Sequence, residues 1–272
     1  MKAAAFEIVR PRDLDAARAA LGREGAKAAA GWQSLGPMLN LRLARPAVVV
    51  SIAHLPELRG VSETPEGVVY GACVTHAEIE DGAAPDPTRG ALPAVAAGIA
   101  YRAVRNRGTI GGSLAHADPA ADWPTALAAM GAHVRVLGAD GVRRVAVEDF
   151  AHGAFAPALA PDELVVGVEA PRFSASARWG WWKFCRKLGE YAEAMCGVLV
   201  DPDRGVARAA FGATDGRPLV IADASEALRD PDALAAPFAA AGLDHDPVAR
   251  RLHRAAFRRA AARAGLLEDV PT

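Results

Sequence analysis

Twenty residues, Arg105 to Pro124 (RNRGTIGGSLAHADPAADWP), constrain this chain more than any other stretch, because they interrupt the regular patterns on both sides of them. A segment that long without regular structure inside a compact domain is functional or disordered, and its Gly and Ile content argues against disorder. Within it, the adjacent Gly111 and Gly112 let backbone approach a ligand closely and point successive amides at one anion, while Thr109 and Ser113 add hydroxyls on either side. Glycine pairs more often mark plain turns, so the segment alone does not define a site. An earlier stretch, Ala30 to Pro37 (AGWQSLGP), follows a strand-like run and leads into a turn of helix, a geometry in which backbone amides cradle a diphosphate. It is not GxGxxG, and neither stretch has the GKS or GKT ending of an ATP-binding loop, so neither nicotinamide nor ATP sites of those kinds find support.

The surroundings predict how these stretches are mounted. Phe6 and Ile8 alternate as in a strand, Pro11 and Asp13 open a helix through Leu21, and Ala26–Ala30 and Ala47–Ile52 read as buried strands. This is α/β order, which favours ligands at the carboxyl ends of strands. Val68–Ala72 reads as a strand and Leu92–Val104 as a helix. His133–Leu137 and Arg143–Val147 flank Gly138-Ala139-Asp140-Gly141, a hairpin signal. The chain turns small and polar at Ala170–Ala177. Beyond it come strands at Trp181–Arg186, Gly197–Asp201 and Ala207–Ala213, then helices at Asp232–Ala241 and Pro247–Ala264. Three units are expected, 1–54, 55–170 and 178–272.

Charge and cysteine usage narrow the function. With 31 Lys+Arg against 32 Asp+Glu the net charge is −1, which argues against nucleic acid as a partner. No run of about 18 apolar residues suggests a membrane span, and the start, MKAAAFEIVRPRD, does not read as a secretory signal. Cys73, Cys185 and Cys196 form no CxxC pair, so no disulfide framework, zinc site or iron–sulfur cluster is expected in this chain, and a reduced cytoplasmic protein is the default. His116 has no ligand-spaced partner, so no metal is expected. Trp179, Trp181 and Trp182 would alternate across a strand, as core or as a subunit contact. The run Arg250, Arg251, Arg254, Arg258, Arg259 and Arg263 reads as a solvated helix face.

Taken together, Ala30–Pro46 (AGWQSLGPMLNLRLARP), Thr75–Glu80 (THAEIE), Val104–Asp122 (VRNRGTIGGSLAHADPAAD) and Lys183–Ala192 (KFCRKLGEYA) give the chain a resemblance over essentially its whole length. It resembles the medium, flavin-binding subunit of the molybdenum hydroxylases, the family of xanthine dehydrogenase and carbon monoxide dehydrogenase. The resemblance implies an α+β chain: a vanillyl-alcohol-oxidase-like FAD-binding fold of two α/β subdomains, followed by a smaller C-terminal α/β domain. It implies FAD here, with molybdopterin in a large partner subunit and two [2Fe–2S] clusters in a small one. The assembly would be a dimer of heterotrimers passing electrons through FAD to an external acceptor, with no catalytic acid–base pair in this chain.

By the match, Ala29, Ala30, Gly31, Trp32, Gln33, Ser34 and Leu35, together with Thr109, Ile110, Gly111, Gly112 and Ser113, would hold the diphosphate and ribityl region. Asp122 resembles a carboxylate near the adenosine end. Ile99 and Val165 match apolar positions that pack on flavin and adenine. Lys183 resembles a lysine approaching the isoalloxazine ring, and Tyr191 an aromatic covering one ring face. Other uses stay open: Asp122 as a helix cap, Lys183 laying its stem on tryptophans, Tyr191 as core. Trp32 stands where the family usually has a second glycine, and a residue with a Cβ suits φ > 0 poorly. Ser113 stands where Asn is common, and Glu190 where Asp is. Two alternatives follow: an assembly subunit that has lost FAD through Trp32, or a stand-alone flavin oxidase of the wider fold superfamily.

Overall fold

A computed structural model describes residues 2–268. The first unit comprises β1 (Glu7–Val9), α1 (Leu14–Leu21), β2 (Ala26–Ala29), α2 (Leu35–Asn40) and β3 (Val48–Ser51), with sheet order β1-β3-β2 and both pairs parallel. Asp13 starts α1 by accepting from the Ala16 amide at 2.8 Å, and the helix lays Ala17, Ala20 and Leu21 on the core. The central strand buries Val48, Val49 and Val50, as a β-branched run covered on both faces must. Because the strands are parallel, their carboxyl ends share one side, and there the chain leaves β2 for the loop Ala30–Ser34.

The second unit contains β4 (Val61–Thr64), β5 (Gly67–Gly71), α3 (His76–Glu80), α4 (Ala91–Ala97), α5 (Arg102–Arg105), α6 (Ile110–His116), α7 (Asp122–Met130), β6 (His133–Gly138) and β7 (Gly141–Ala146). A small pair, β8 (Ala151–Gly153) and β9 (Ala156–Pro157), precedes β10 (Leu164–Pro171). Its five-stranded sheet runs β4-β5-β10-β6-β7, antiparallel throughout, and β6 and β7 join across the anticipated turn, where Gly138 faces Gly141. Two expectations are corrected. The predicted helix Leu92–Val104 breaks at Gly98–Ala100, where Ala100 takes φ +42°, and restarts as α5. Arg105–Pro124, expected to lack regular structure, is largely helical. Gly111 and Gly112 sit inside α6, stabilised by a Thr109 cap and by contacts along Ala72 that outweigh glycine's poor helix propensity.

The third unit is the antiparallel sheet β11 (Arg178–Phe184), β12 (Ala194–Asp201), β13 (Val206–Gly212) and β14 (Leu219–Ile221), followed by α8 (Ser225–Arg229), α9 (Ala235–Ala240) and α10 (Pro247–Arg263). A Cβ on Gly180 of β11 would collide with the Ala260 carbonyl, so α10 lies hard against this strand. Trp179 and Trp181 stack on one face of β11 with centroids 6.4 Å apart. On the other face Arg259 and Arg263 cover Trp182 at 4.7 and 4.3 Å from its centroid, so these two arginines are cation–π partners rather than part of a solvated face. Helix α7 is buried along its whole length, packed against β10 on one side and β12 and β13 on the other. This central placement fixes its first residue, Asp122, at the junction of the second and third units. Among the described residues no helix is long and apolar enough to cross a membrane.

Candidate functional site

The first two units, with Gly189, Glu190 and Tyr191 of the third, enclose a cleft of about 640 Å³, a size suited to a substantial organic ligand. Ala29, Ala30, Gly31, Trp32, Gln33, Ser34, Leu35, Ile99, Thr109, Gly111, Gly112, Ser113, Asp122, Val165 and Tyr191 all line it. Two of the candidate residues do not. Ile110 is fully buried in the core beneath the second loop, and Lys183 reaches the cleft only through Asp122.

The two glycine loops divide the work differently from what their shared composition suggests. In the first, the amides of Gly31, Trp32, Gln33 and Ser34 donate to no acceptor among the described residues, and Ser34 stands at the N-cap of α2 without a side-chain cap bond. These are open donors at the end of a parallel strand. Trp32 holds φ +64°, so the left-handed conformation suited to glycine is kept with an indole attached. Gly31 meets the partner loop directly: a Cβ there would overlap the Arg107 carbonyl.

In the second loop the amides are already committed, which corrects the expectation that they point at an anion. Ile110 N donates to Val74 O at 3.0 Å, Gly111 N to Ala72 O at 3.0 Å, Gly112 N to Thr109 Oγ1 at 3.1 Å and Ser113 N to Thr109 O at 3.0 Å. What this loop offers the cleft is hydroxyls, on Thr109 and Ser113, and close backbone approach. A Cβ on Gly111 would lie 2.5 Å from that of Ala72.

The wall between α4 and α5 is braced from two sides. Arg105 donates to the Ile99 and Ala100 carbonyls at 3.0 and 3.3 Å, and Glu80 holds its guanidinium at 2.7 and 3.0 Å. The Arg105 guanidinium beside Glu80 keeps that carboxyl below the usual carboxylate range. From the third unit, Lys183 Nζ donates to Gly98 O and to Asp122 Oδ1, both at 2.7 Å. Asp122 and Lys183 are thus one buried pair and cannot serve opposite ends of an extended dinucleotide. Asp122 is not the cap of α7 either, since that place belongs to Ala121. Burial pushes the Asp122 carboxyl up, and the Lys183 ammonium opposes that shift.

Tyr191, 67% exposed, stands at the mouth, on the stretch after β11 that includes Gly189. A Cβ on Gly189 would come within 2.7 Å of the Tyr101 ring. Tyr101, Phe155 and His76 also line the cleft and escaped the sequence reading. The signal for His76 was present in the Thr75–Glu80 segment, whose role becomes visible here. Thr75 and Glu78 form a capping box, His76 N donates to Gly108 O at 2.9 Å, and Glu80 anchors Arg105.

Residues 4–173 match the family model described as the FAD binding domain in molybdopterin dehydrogenase. The chain is 34% identical over 232 residues to the nicotine 6-hydroxylase medium subunit of Paenarthrobacter nicotinovorans, covering 84% of this chain and 81% of that one. It is 36% identical over 197 residues to the carbon monoxide dehydrogenase medium chain of Hydrogenophaga pseudoflava, covering 72% and 69%. A chain of the solved Hydrogenophaga pseudoflava carbon monoxide dehydrogenase lacking the Mo-pyranopterin moiety aligns with TM-score 0.83 at 32% identity, over 97% of this chain and 99% of that one. A chain of quinoline 2-oxidoreductase from Pseudomonas putida 86 aligns with TM-score 0.80 at 32% identity, over 97% and 98%.

Proposed function

The chain belongs to the FAD-binding medium subunits of the molybdenum hydroxylases, and we propose that it relays electrons from two [2Fe–2S] clusters of a small partner subunit through FAD to an external acceptor. The clusters would be charged from a molybdopterin site in a large partner subunit, and the whole would assemble as a dimer of heterotrimers. The observation that carries this reading is the row of four open amides, Gly31 to Ser34, facing the Thr109 and Ser113 hydroxyls in one cleft.

When bound, FAD supplies the redox chemistry, and the protein supplies binding, orientation and electrostatics. Gly31, Trp32, Gln33 and Ser34 would hold the diphosphate by backbone donors, which suits a chain whose net charge is −1 and which has no cationic surplus to spend on phosphate. Thr109 and Ser113 would add hydroxyl contacts from the opposite wall. Ile99 and Val165 keep water from the apolar faces of the cleft. Lys183, fixed by Asp122 and Gly98, neutralises the carboxylate that lines the cleft and braces its wall, and Tyr191 covers its mouth.

The test is the visible spectrum of the full chain, purified with whatever proteins accompany it and then desalted. Flavin bands at about one FAD per chain, with a large molybdopterin protein and a small cysteine-rich one as companions, are the expected result. A colourless chain that takes up no added FAD overturns the reading in favour of an assembly subunit. Substrate oxidation by the isolated chain would favour an independent oxidase.

A further inference from the structure

We propose that His76 is a hydrogen-bond donor to the bound dinucleotide, its Nε2–H held in place by Trp123 and offered to an oxygen of the diphosphate–ribityl segment. The inference rests on the functional reading above and adds to it a residue that the loop motifs do not contain.

An indole nitrogen can only donate, and Trp123 Nε1 lies 3.0 Å from His76 Nδ1, so Nδ1 is the acceptor and bears no proton. A neutral ring in that arrangement carries its proton on Nε2. Both partners are deeply buried: His76 is 5% exposed, and Trp123 lies at the heart of the core in α7. The imidazole is therefore held in orientation and tautomer by a neighbour that is itself fully buried.

The other edge of the ring has no such partner. His76 lines the cleft, and Nε2 meets no acceptor among the described residues. Nε2 is not one of the fully enclosed side-chain atoms without a partner, so it opens on the cleft, and an acceptor arriving there meets a donor that the fold has already oriented. Gly108 keeps this edge clear. A Cβ at that position would come 2.7 Å from Nε2, against the ring itself. Around it lie Ala72, Cys73, Thr109 and Gly111, on the floor between the two glycine loops. That is the part of the cleft assigned to the diphosphate and ribityl chain, whose exposed atoms are mostly oxygen acceptors.

The environment also keeps the ring uncharged. Burial, aided by the Arg105 guanidinium, pushes the His76 imidazole down to about 4, so at neutral pH it acts as a neutral donor. Such a donor can hold the cofactor without placing another positive charge in the cleft.

The experiment is nitrogen-15 NMR of the full chain with labelled histidine, recorded free of FAD and after titration with FAD. The expected result is an Nε2–H tautomer in both states, with the Nε2 proton moving downfield and its exchange with water slowing at least about tenfold once FAD is bound. FAD binding without any change at His76 Nε2 overturns the proposal and leaves the flavoprotein reading standing. Failure of FAD to bind overturns both. Variants give a second readout: His76→Phe is expected to weaken FAD binding about tenfold, while His76→Gln, which restores an N–H donor, stays within about threefold of the parent. Equal losses in both variants would mean that the ring merely fills space.

Discussion

Lys183 Nζ and Asp122 Oδ1 lie 2.7 Å apart, and the pair joins strand β11 of the third unit to the first turn of helix α7 in the second. With side-chain exposures of 15% and 9%, neither charge has water enough to stand alone. Lys183→Met is expected to lower the unfolding free energy by about 3–5 kcal/mol at neutral pH. Because the folded-state Asp122 carboxyl is already raised, its protonated form favours folding, and that favour is lost as pH rises through the folded-state value. The loss in Lys183→Met should therefore be larger at pH 8 than at pH 5 in urea titrations. Equal losses at both would mean that the carboxylate is solvated.

Gly31, in the loop after β2, and Gly36, in the first turn of α2, face different surroundings. A Cβ on Gly31 would enter the Arg107 carbonyl, whereas one on Gly36 meets only the Trp32 Cβ at 3.9 Å. Gly31→Ala should force the loops of the two units apart and abolish flavin retention. Gly36→Ala should retain flavin at the parent level, as measured by absorbance per chain after desalting.

Trp32 carries the left-handed backbone at a cost of about 1–2 kcal/mol for a residue with a Cβ. Trp32→Gly is expected to keep or improve FAD retention and not to lower the melting temperature. Trp32→Val, β-branched in the same conformation, should lose both. If valine performs as well as glycine, the loop does not need this geometry.

The Arg105 fork reaches Glu80 and two carbonyls together, which a lysine cannot do. Arg105→Lys should free the Ile99–Ala100 turn, speed FAD dissociation about tenfold and leave the rest of the fold intact. Stopped-flow release of flavin fluorescence measures this, with circular dichroism as the control.

His76 has its folded-state value pushed to about 4 from an ordinary 6.5, so between those limits the unfolded chain binds a proton that the folded chain does not. Stability from this residue is complete above pH 6.5 and falls as the pH drops towards 4, by up to about 3 kcal/mol. His76→Gln should flatten that part of the stability profile in denaturant titrations across pH 4–7. An unchanged slope would place the acid sensitivity elsewhere.

Most of the site was legible because backbone chemistry leaves marks in sequence. A glycine that must admit another chain, as at Gly31 and Gly111, cannot be replaced quietly, and a strand ending in such a residue announces a ligand-facing loop. What remained hidden depended on pairing across long separations. Nothing in Arg105 says that it supports the carbonyls of Ile99 and Ala100, and nothing in Asp122 says that Lys183, 61 residues on, neutralises it. The commitment of the second loop's amides is only partly visible in the sequence for a related reason. Two of the partners, Val74 O and Ala72 O, belong to a segment that only folding brings alongside, while Thr109, at the start of α6, takes the other two amides. The helix break is different: Gly98 at the C-cap of α4 is a local stop signal, and the left-handed Ala100 that follows is what the sequence does not announce.

The left-handed turn at Trp32 separates shape from composition. A pattern insisting on two glycines would reject this polypeptide, although its main chain follows the path that such a pattern was meant to detect. Bulk is accommodated there: Trp32 lines the cleft, and the amides of Gly31 to Ser34 still have no acceptor among the described residues. Under the proposed function, a side chain that accepts the left-handed backbone at position 32 changes the lining of the cleft without rebuilding the row of amides beside it.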